Sequence, residues 1–460
     1  MTSPEPSTVA IVLAAGLGTR MRSRRPKVLH PLCGRPMLAY VVDAARAATG
    51  TRPLVVTSPS TAAVRDAFGD EVAWALQDEP RGTGDAVGAA LAALDAPAAE
   101  VVVLSGDTPL LTSETVAALV QLRRRDGAAI SLATVRPEEA GGYGRIVRDA
   151  GGVARIVEEK DATKAERGIG EVNAGLYAFD AAWLRGRIGD LRPSPASGEV
   201  YLTDLVALAR SDGRKVTALE VEDEMELAGI NDRVQLATAE ADLRWRILEG
   251  HLLAGVTMQD PTTVFIDAVV ELGQDVVIEP NVILRGRTRI GAETLIGAGS
   301  QISDSVVGER CRIRASVLES CEVEDEVTIG PFSHLRAGAS IGRGAELGNY
   351  AEVKKSRLGP GTKQHHFSYI GDAEVGAGVN IGAGTITANY DGTRKHRTVI
   401  GDGAFIGSDT MLVAPVTIGE GAATGAGSVV THDVPPGKMA VGVPARVRER
   451  QRKPAGGPEA

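Results

Sequence analysis

From Leu13 to Lys27 the chain reads LAAGLGTRMRSRRPK, glycines followed by a dense basic run. Backbone N–H groups in such a loop can close around phosphate oxygens, and Arg20 and Lys27 supply the positive charge a triphosphate needs. The loop is not of the Walker type, because no G-K-[ST] follows at the required spacing. Taken alone, a GxG is more simply a turn beside solvated basic residues. An acid downstream changes the balance. In VVLSGDTPLL, Asp107 lies just past a strand end, where a carboxylate can hold Mg²⁺ against phosphate oxygens; without the basic loop, a helix-capping role would be the better reading. LQDEPRGTGDAV sets Gln77 near Gly82 and Thr83, and a side-chain amide that both donates and accepts suits the imide edge of a pyrimidine. GGYGRIV, IVEEKDAT and EVNAGLYAF offer Gly144, Glu158 and Asn173 for sugar hydroxyls and an amide, and ELAGINDR offers Asn231 as a second metal ligand. Singly, each of these reads as structural.

A second group lies far down the chain. TKQHHFSYIGDAEVG contains two adjacent residues of only seven histidines. Imidazole titrates near neutrality and suits proton transfer; a pair of solvated loop histidines is the plainer alternative. A zinc site is disfavoured, because adjacent histidines cannot easily face one ion and no other pair has zinc spacing.

The elements that must position these residues differ between the two halves. VAIVLAAG, PLVVTS, EVVVLSGD and AAISLATV read as buried strands, and PMLAYVVDAARAAT, DAVGAALAAL and TVAALVQLRRR between them as helices. That alternation predicts an α/β, Rossmann-like domain with a mostly parallel sheet covered on both faces. Ligands in such sheets sit at the carboxyl ends of the strands, where the basic loop and Asp107 fall. QLATAEADLRWRILEGHLLAG has helical periodicity and reads as a connector. Beyond it, Val323, Ile329, Leu335, Ile341, Leu347 and Val353 are spaced by six, as are Ile400, Ile406, Leu412 and Ile418, and Ile290, Ile296 and Ile302. A glycine often follows. This is the pattern of a parallel β-helix of hexapeptide repeats, whose coils bury apolar surface only by stacking. It accounts for the 55 glycines, since tight corners favour residues that tolerate positive φ. The rhythm is expected to fail at TKQHHFSYIGDAEVG and again at the polar ANYDG. The expected divisions are 1–232, a helical linker 233–255, the β-helix 256–445, and a disordered tail 446–460.

A length of 460 residues, 43% hydrophobic and 24% charged, is that of an ordinary multidomain protein. The net charge of −9 argues against a general nucleic-acid binder. The three cysteines form no CxxC pair, which favours a reducing, cytoplasmic setting over a disulfide framework. No apolar run is long enough to cross a bilayer, so no membrane partner is expected.

The basic loop through Pro26-Lys27 resembles the sugar nucleotidyltransferase signature. Joined to a hexapeptide half, the chain resembles the bacterial bifunctional UDP-N-acetylglucosamine pyrophosphorylase/glucosamine-1-phosphate N-acetyltransferases over residues 8–440. The resemblance implies a left-handed β-helix, a homotrimer, and two reactions that supply peptidoglycan and other cell-envelope precursors. One is acetyl transfer from acetyl-CoA to glucosamine 1-phosphate. The other is uridylyl transfer from UTP to N-acetylglucosamine 1-phosphate, with release of pyrophosphate. It assigns Leu13, Ala14, Ala15, Gly16, Arg20 and Lys27 to the nucleotide, Gln77, Gly82 and Thr83 to uracil, and Gly144, Glu158 and Asn173 to the sugar. Asp107 and Asn231 would hold Mg²⁺. In the second half it assigns Arg336, Lys354, Tyr369, Asn380, Ala383, Asn389, Tyr390, Ser408 and Ala426 to glucosamine 1-phosphate and acetyl-CoA. Of the adjacent histidines, the family spacing to Tyr369 selects His366 as the base that frees the amine. The arginine that the family carries near its C-terminus has no clear counterpart, Arg446 being the candidate. Three other readings bear weighing: a β-helix used only for assembly, a nucleotidyltransferase of other base or sugar preference, and a non-enzymatic scaffold.

Overall fold

A computed structural model describes residues 7–94 and 98–449. The chain divides into two units, Met1–Leu243 and Arg244–Ala460. The first is built on a sheet whose strands run in the order Val216–Glu220, Ile130–Val135, Val172–Asp180, Glu100–Ser105, Thr8–Leu13, Leu54–Thr57, Ala73–Leu76. Every neighbouring pair is parallel except those made by Val172–Asp180, which runs against both its neighbours. Alternate residues face two cores. Ile11, Val101, Val103 and Leu132 pack on one side; Ala10, Val12, Val102 and Leu104 pack on the other. Burial on both faces is why these strands read as unbroken apolar runs. The sequence pattern did not reveal the antiparallel hairpin Arg145–Asp149/Gly152–Val157, which joins Val172–Asp180 at its margin. Its short, charged strands lack the apolar run that marks the others.

The second unit winds through three sheets of twelve, ten and nine strands, parallel except for the last strand of the twelve-stranded one, the faces of a left-handed hexapeptide β-helix. The predicted period-six aliphatics all point inward: Ile290, Ile329, Leu335, Ile341, Val353, Ile406 and Ile418 are each at most 3% exposed. Glycines serve two purposes here. Gly344 has φ +67 at an open corner, the conformation expected from the repeat. Gly342 instead lies where a Cβ would stand 2.6 Å from Pro360 N of the next coil, so close stacking as well as positive φ accounts for the glycine content.

The expected failure of the rhythm is corrected in its place: it does not fall at the histidine pair itself. Leu358, Gln364 and Ile370 remain six apart and all are fully buried. The coil continues, and a polar residue occupies the inward position that an aliphatic normally fills. The step shortens to five positions on either side of this run, from Val353 to Leu358 and, within the quoted stretch, from Ile370 to Val375, all of them buried. The true excursion is 389–397, between strands Ile386–Ala388 and Thr398–Ile400.

The helix Arg233–Leu253 spans the division between the units. In the first unit both Glu240 carboxylate oxygens accept the Cys33 N–H at 3.1 Å. In the second, Leu248 belongs to the β-helix core and the Arg244 guanidinium lies 4.5 Å from the Phe265 ring centre. The expected tail from 446 is corrected at its start: Arg446–Glu449 pairs antiparallel with Lys438–Val441, because an open sheet edge offers unpaired backbone groups. The remainder of that tail lies outside the described residues. No described helix is long and apolar enough to cross a membrane.

Candidate active sites

In the first unit the candidates gather at the strand ends, as parallel-sheet topology requires. The loop after Leu13 turns at Gly18, φ +59, where a Cβ would meet Lys27 Cβ at 2.6 Å. That glycine lets the loop fold onto the lysine. Lys27, largely buried, is ion-paired with Asp107 and donates to Asn231 Oδ1 at 3.2 Å. Arg20 donates to the same oxygen at 2.9 Å. Two distant segments, 105–107 and 229–231, therefore meet the basic loop at one point.

A cavity of about 390 Å³ is lined by Leu13, Ala14, Ala15, Gly16, Lys27, Gln77, Gly82 and Thr83, together with Ser105, Asp107 and Glu199. A second, about 190 Å³, is lined by Gly144, Glu158 and Asn173 with Tyr143, Ser105 and Asp107. Ser105 and Asp107 belong to both, so the two cavities meet at the carboxylate that Lys27 holds. Gly82 has φ +119, and a Cβ there would lie 2.5 Å from Val200 O. Thr83 Oγ1 accepts the Leu202 N–H at 3.0 Å, fixing the segment that carries Glu199. In the smaller cavity Asn173 N–H donates to Gly144 O at 2.8 Å, and Glu158 Oε1 accepts from Thr203 Oγ1 at 2.9 Å. Burial pushes the Glu158 carboxyl above its ordinary range, against the lowering bond from Thr203 and with help from nearby Asp204, Asp161 and Glu199. Tyr143 is also raised, chiefly by burial.

Among the described residues no three His, Cys, Asp or Glu side chains gather to hold a metal ion. Asp107 and Asn231 offer one carboxylate and one amide oxygen, now spent on Lys27 and Arg20. Hard oxygen donors of this kind fit a Mg²⁺ ion whose other ligands are phosphate oxygens and water. None of the three cysteines forms a disulfide, and all are buried.

In the second unit one cluster is cationic. Arg336 is paired with Glu352 at 2.8 Å. The Lys354 pKa is lowered by neighbouring Lys395 first and then by Arg336, as expected where positive charges converge without a full counter-charge. Lys395 comes from the 389–397 excursion and lies 3.9 Å from Asp372. Asn389, on the same excursion, donates to Asp372 Oδ2 at 2.5 Å and to the Tyr369 hydroxyl at 3.5 Å. Tyr390, more exposed, donates its hydroxyl to Gly392 O at 2.6 Å. Asp372 and Lys395 also line a cavity of about 350 Å³, which none of the sequence-derived candidates lines.

The remaining candidates follow one corner of the β-helix. Gly384 N–H donates to Phe367 O at 2.7 Å, Asp409 N–H to Ala383 O at 2.6 Å, and Gly427 N–H to Ser408 O at 2.8 Å. His366, Ala383, Ser408 and Ala426 thus ride successive coils of a single column. Asn380 lies on the strand Asn380–Ile381 that enters it. The two histidines differ: His365 Nε2 lies 2.9 Å from Glu346 Oε2, whereas the exposed His366 ring has no hydrogen-bond partner among the described residues.

Sequence reasoning missed Gly18, Tyr143, Glu199, Asp372 and Lys395 as parts of these sites. Tyr143 stood inside a motif already singled out. Lys395 had no signal, because nothing in a polar excursion says where its side chains return.

A model of the MobA-like NTP transferase domain matches residues 10–175, and the bacterial transferase hexapeptide (six repeats) matches 320–355 and 397–432. A protein of Mycobacterium bovis named "Bifunctional protein GlmU" is 47% identical over 472 residues, covering 100% of this chain and 95% of that one. Proteins of the same name from Heliobacterium modesticaldum and Pelobacter propionicus are 48% and 46% identical, covering 94% and 95% of this chain and equal shares of their own.

Proposed function

The chain belongs to the bifunctional GlmU family, and from that premise we propose how its two units carry out the two reactions. It is an enzyme of UDP-N-acetylglucosamine synthesis: a hexapeptide unit acetylates glucosamine 1-phosphate and a nucleotidyltransferase unit converts the product to the UDP-sugar.

In the first unit, UTP takes the larger cavity, with its base toward Gln77, Gly82 and Thr83 and its phosphates on the Ala14–Gly16 backbone, Arg20 and Lys27. N-acetylglucosamine 1-phosphate takes the smaller one, against Gly144, Glu158 and Asn173. A phosphate oxygen of the sugar attacks the α-phosphorus, the α–β P–O bond breaks, and pyrophosphate leaves. The reaction requires alignment and charge neutralisation rather than a covalent catalyst. Lys27 stabilises the charge that develops on the transferred phosphoryl group. A Mg²⁺ ion held by Asp107 and Asn231 would supply further neutralisation of phosphate charge. The observation that carries this reading is the meeting of the two cavities at Ser105 and Asp107.

In the second unit, Arg336, Lys354 and Lys395 receive the sugar phosphate, and the corner bearing Ala383, Ser408 and Ala426 receives the extended arm of acetyl-CoA. His366 takes the proton from the ammonium. The freed amine attacks the thioester carbonyl, the C–S bond breaks, and the second proton shed by the nitrogen goes to sulfur, so that CoA leaves as the thiol. A homotrimer is supported by the more than half-exposed, stacked Phe332–Tyr350 pair, whose rings lie 5.5 Å apart, as surface for another copy to cover. Three buried cysteines without a disulfide support a cytoplasmic setting.

The test is an assay of purified protein with glucosamine 1-phosphate, acetyl-CoA, UTP and Mg²⁺, each omitted in turn. UDP-N-acetylglucosamine is expected only when all four are present. N-acetylglucosamine 1-phosphate should restore product when glucosamine 1-phosphate or acetyl-CoA is left out. Product without the divalent cation would overturn the metal role, and no CoA release would leave the β-helix without its chemistry. Light scattering should give three times 47.8 kDa; a single-copy mass would overturn the trimer.

A further inference from the structure

Gln77 is 4% exposed, and its backbone N–H is tied to Thr57 O at 2.8 Å. Its side-chain Nε2 donates to Gly82 O at 3.1 Å and to Asp85 Oδ2 at 2.8 Å. A carbonyl and a carboxylate only accept, so together they dictate which way the amide faces. Rotated by half a turn, Oε1 would lie against two acceptors. Both amide hydrogens are thus consumed, and Oε1 is left as the one side-chain polar atom of Gln77 with no partner among the described residues. The backbone around Gly82 is tied on both sides, Val200 N–H donating to Arg81 O at 2.7 Å and Gly84 N–H to Val200 O at 2.9 Å, so its carbonyl is held where it is. Asp85 itself does not line the 390 Å³ nucleotide cavity.

We propose that Asp85 is a positioning residue that sets base selection: by locking Gln77 with its carbonyl free, it makes the pocket accept a ring N–H, as in uracil, and reject a bare ring nitrogen, as in cytosine. The inference rests on the reading that Gln77 faces the base. A site built to accept one hydrogen bond rejects the analogue that cannot donate it, because two acceptors are then left facing each other without water. An asparagine at 85 could donate to Oε1 of a reversed Gln77, leaving Gly82 O as the one acceptor that still opposes the reversal, so the preference would weaken without disappearing.

The experiment measures kcat/KM for UTP and for CTP with N-acetylglucosamine 1-phosphate, using the full chain and the variants Asp85→Asn, Asp85→Glu and Gln77→Ala. Acetyl transfer on the same samples reports that the second unit is intact. The UTP:CTP ratio is expected to fall about tenfold or more in Asp85→Asn, mainly through a gain with CTP. Asp85→Glu, which keeps an acceptor, should stay within a few-fold of the parent. A parental ratio in Asp85→Asn, with a reduced ratio in Gln77→Ala, would overturn the positioning role and leave the base reading standing. An unchanged ratio in Gln77→Ala would overturn the base reading and the proposal with it. Equal losses with both nucleotides in Asp85→Asn would mark Asp85 as merely structural and overturn the proposal.

Discussion

His365 Nε2 lies 2.9 Å from Glu346, whereas the His366 imidazole has no hydrogen-bond partner among the described residues. One ring is held by a carboxylate and the other has no such partner, so the two adjacent rings should respond differently to removal. His366→Ala is expected to lose acetyl transfer by about a hundredfold or more and to keep uridylyl transfer. His365→Ala should stay within a few-fold. Steady-state CoA release decides between them, and a larger loss in His365→Ala would reverse the assignment. Lys395 extends the same reasoning to binding. Like charges that lower the Lys354 pKa are relieved when an anion arrives. Lys395→Ala should therefore raise KM for glucosamine 1-phosphate about tenfold, one lost charge-assisted contact, with little change in KM for acetyl-CoA. Equal shifts in both would argue against a phosphate contact.

At the scale of elements, the strand Glu100–Ser105 carries a fully buried carboxylate at its start. Glu100 accepts from Arg123 Nε at 3.1 Å, from Arg124 Nε at 2.8 Å and from Thr8 Oγ1 at 2.8 Å. Burial alone would raise its pKa, but the bonds from Arg124, Arg123 and Thr8 outweigh burial and lower it. A folded pKa below the unfolded one stabilises fully above the unfolded value, about 4.3 for glutamate, and that contribution fades as pH falls through the folded value. Glu100→Gln should cost the first unit about 3–5 kcal/mol near neutrality by leaving the arginines unpaired, and less at low pH. Denaturant unfolding at two pH values checks this; a deficit that grows on acidification would contradict it. In the β-helix, buried Gln364 donates to Ser368 Oγ at 2.9 Å, which donates to His366 O at 3.0 Å. Its Oε1 is buried without a partner. Gln364→Leu should leave thermal stability equal or higher, by about 1 kcal/mol, while lowering acetyl transfer several-fold because the His366 backbone loses its brace. A lower melting temperature with unchanged acetyl transfer would show that Gln364 only packs.

At the scale of the whole molecule, two chemistries rest on two architectures with separate cores. They should be separable by single substitutions. Asp107→Ala is expected to abolish UDP-sugar formation, because it removes the carboxylate at the point where both cavities meet, while acetyl transfer survives. Near-normal uridylyl transfer in that variant would sink the first-unit assignment. Stacked coils contact only their neighbours, so changes near Ile290 or Ile302 should leave the acetyl site several coils away intact.

The sequence by itself determined both architectures. Period-six aliphatics such as Ile329, Leu335 and Ile341 must face one narrow interior, and apolar runs such as Val101–Leu104 must lie between two covered faces. It also determined the signature loop, because its glycines and cations are contiguous along the chain. Only the tertiary structure decided what depends on segments meeting across long separations. It brought Asn231 to Lys27 and Arg20, joined two cavities at Asp107, set Lys395 beside Lys354, and tied His365 rather than His366 to a carboxylate. It also showed that the period holds through the histidines, where Gln364 fills an inward position that an apolar pattern cannot register, and shortens after them, between Ile370 and Val375. Local periodicity is written in single side chains; convergence depends on how loops return, and no residue type encodes its distant partner.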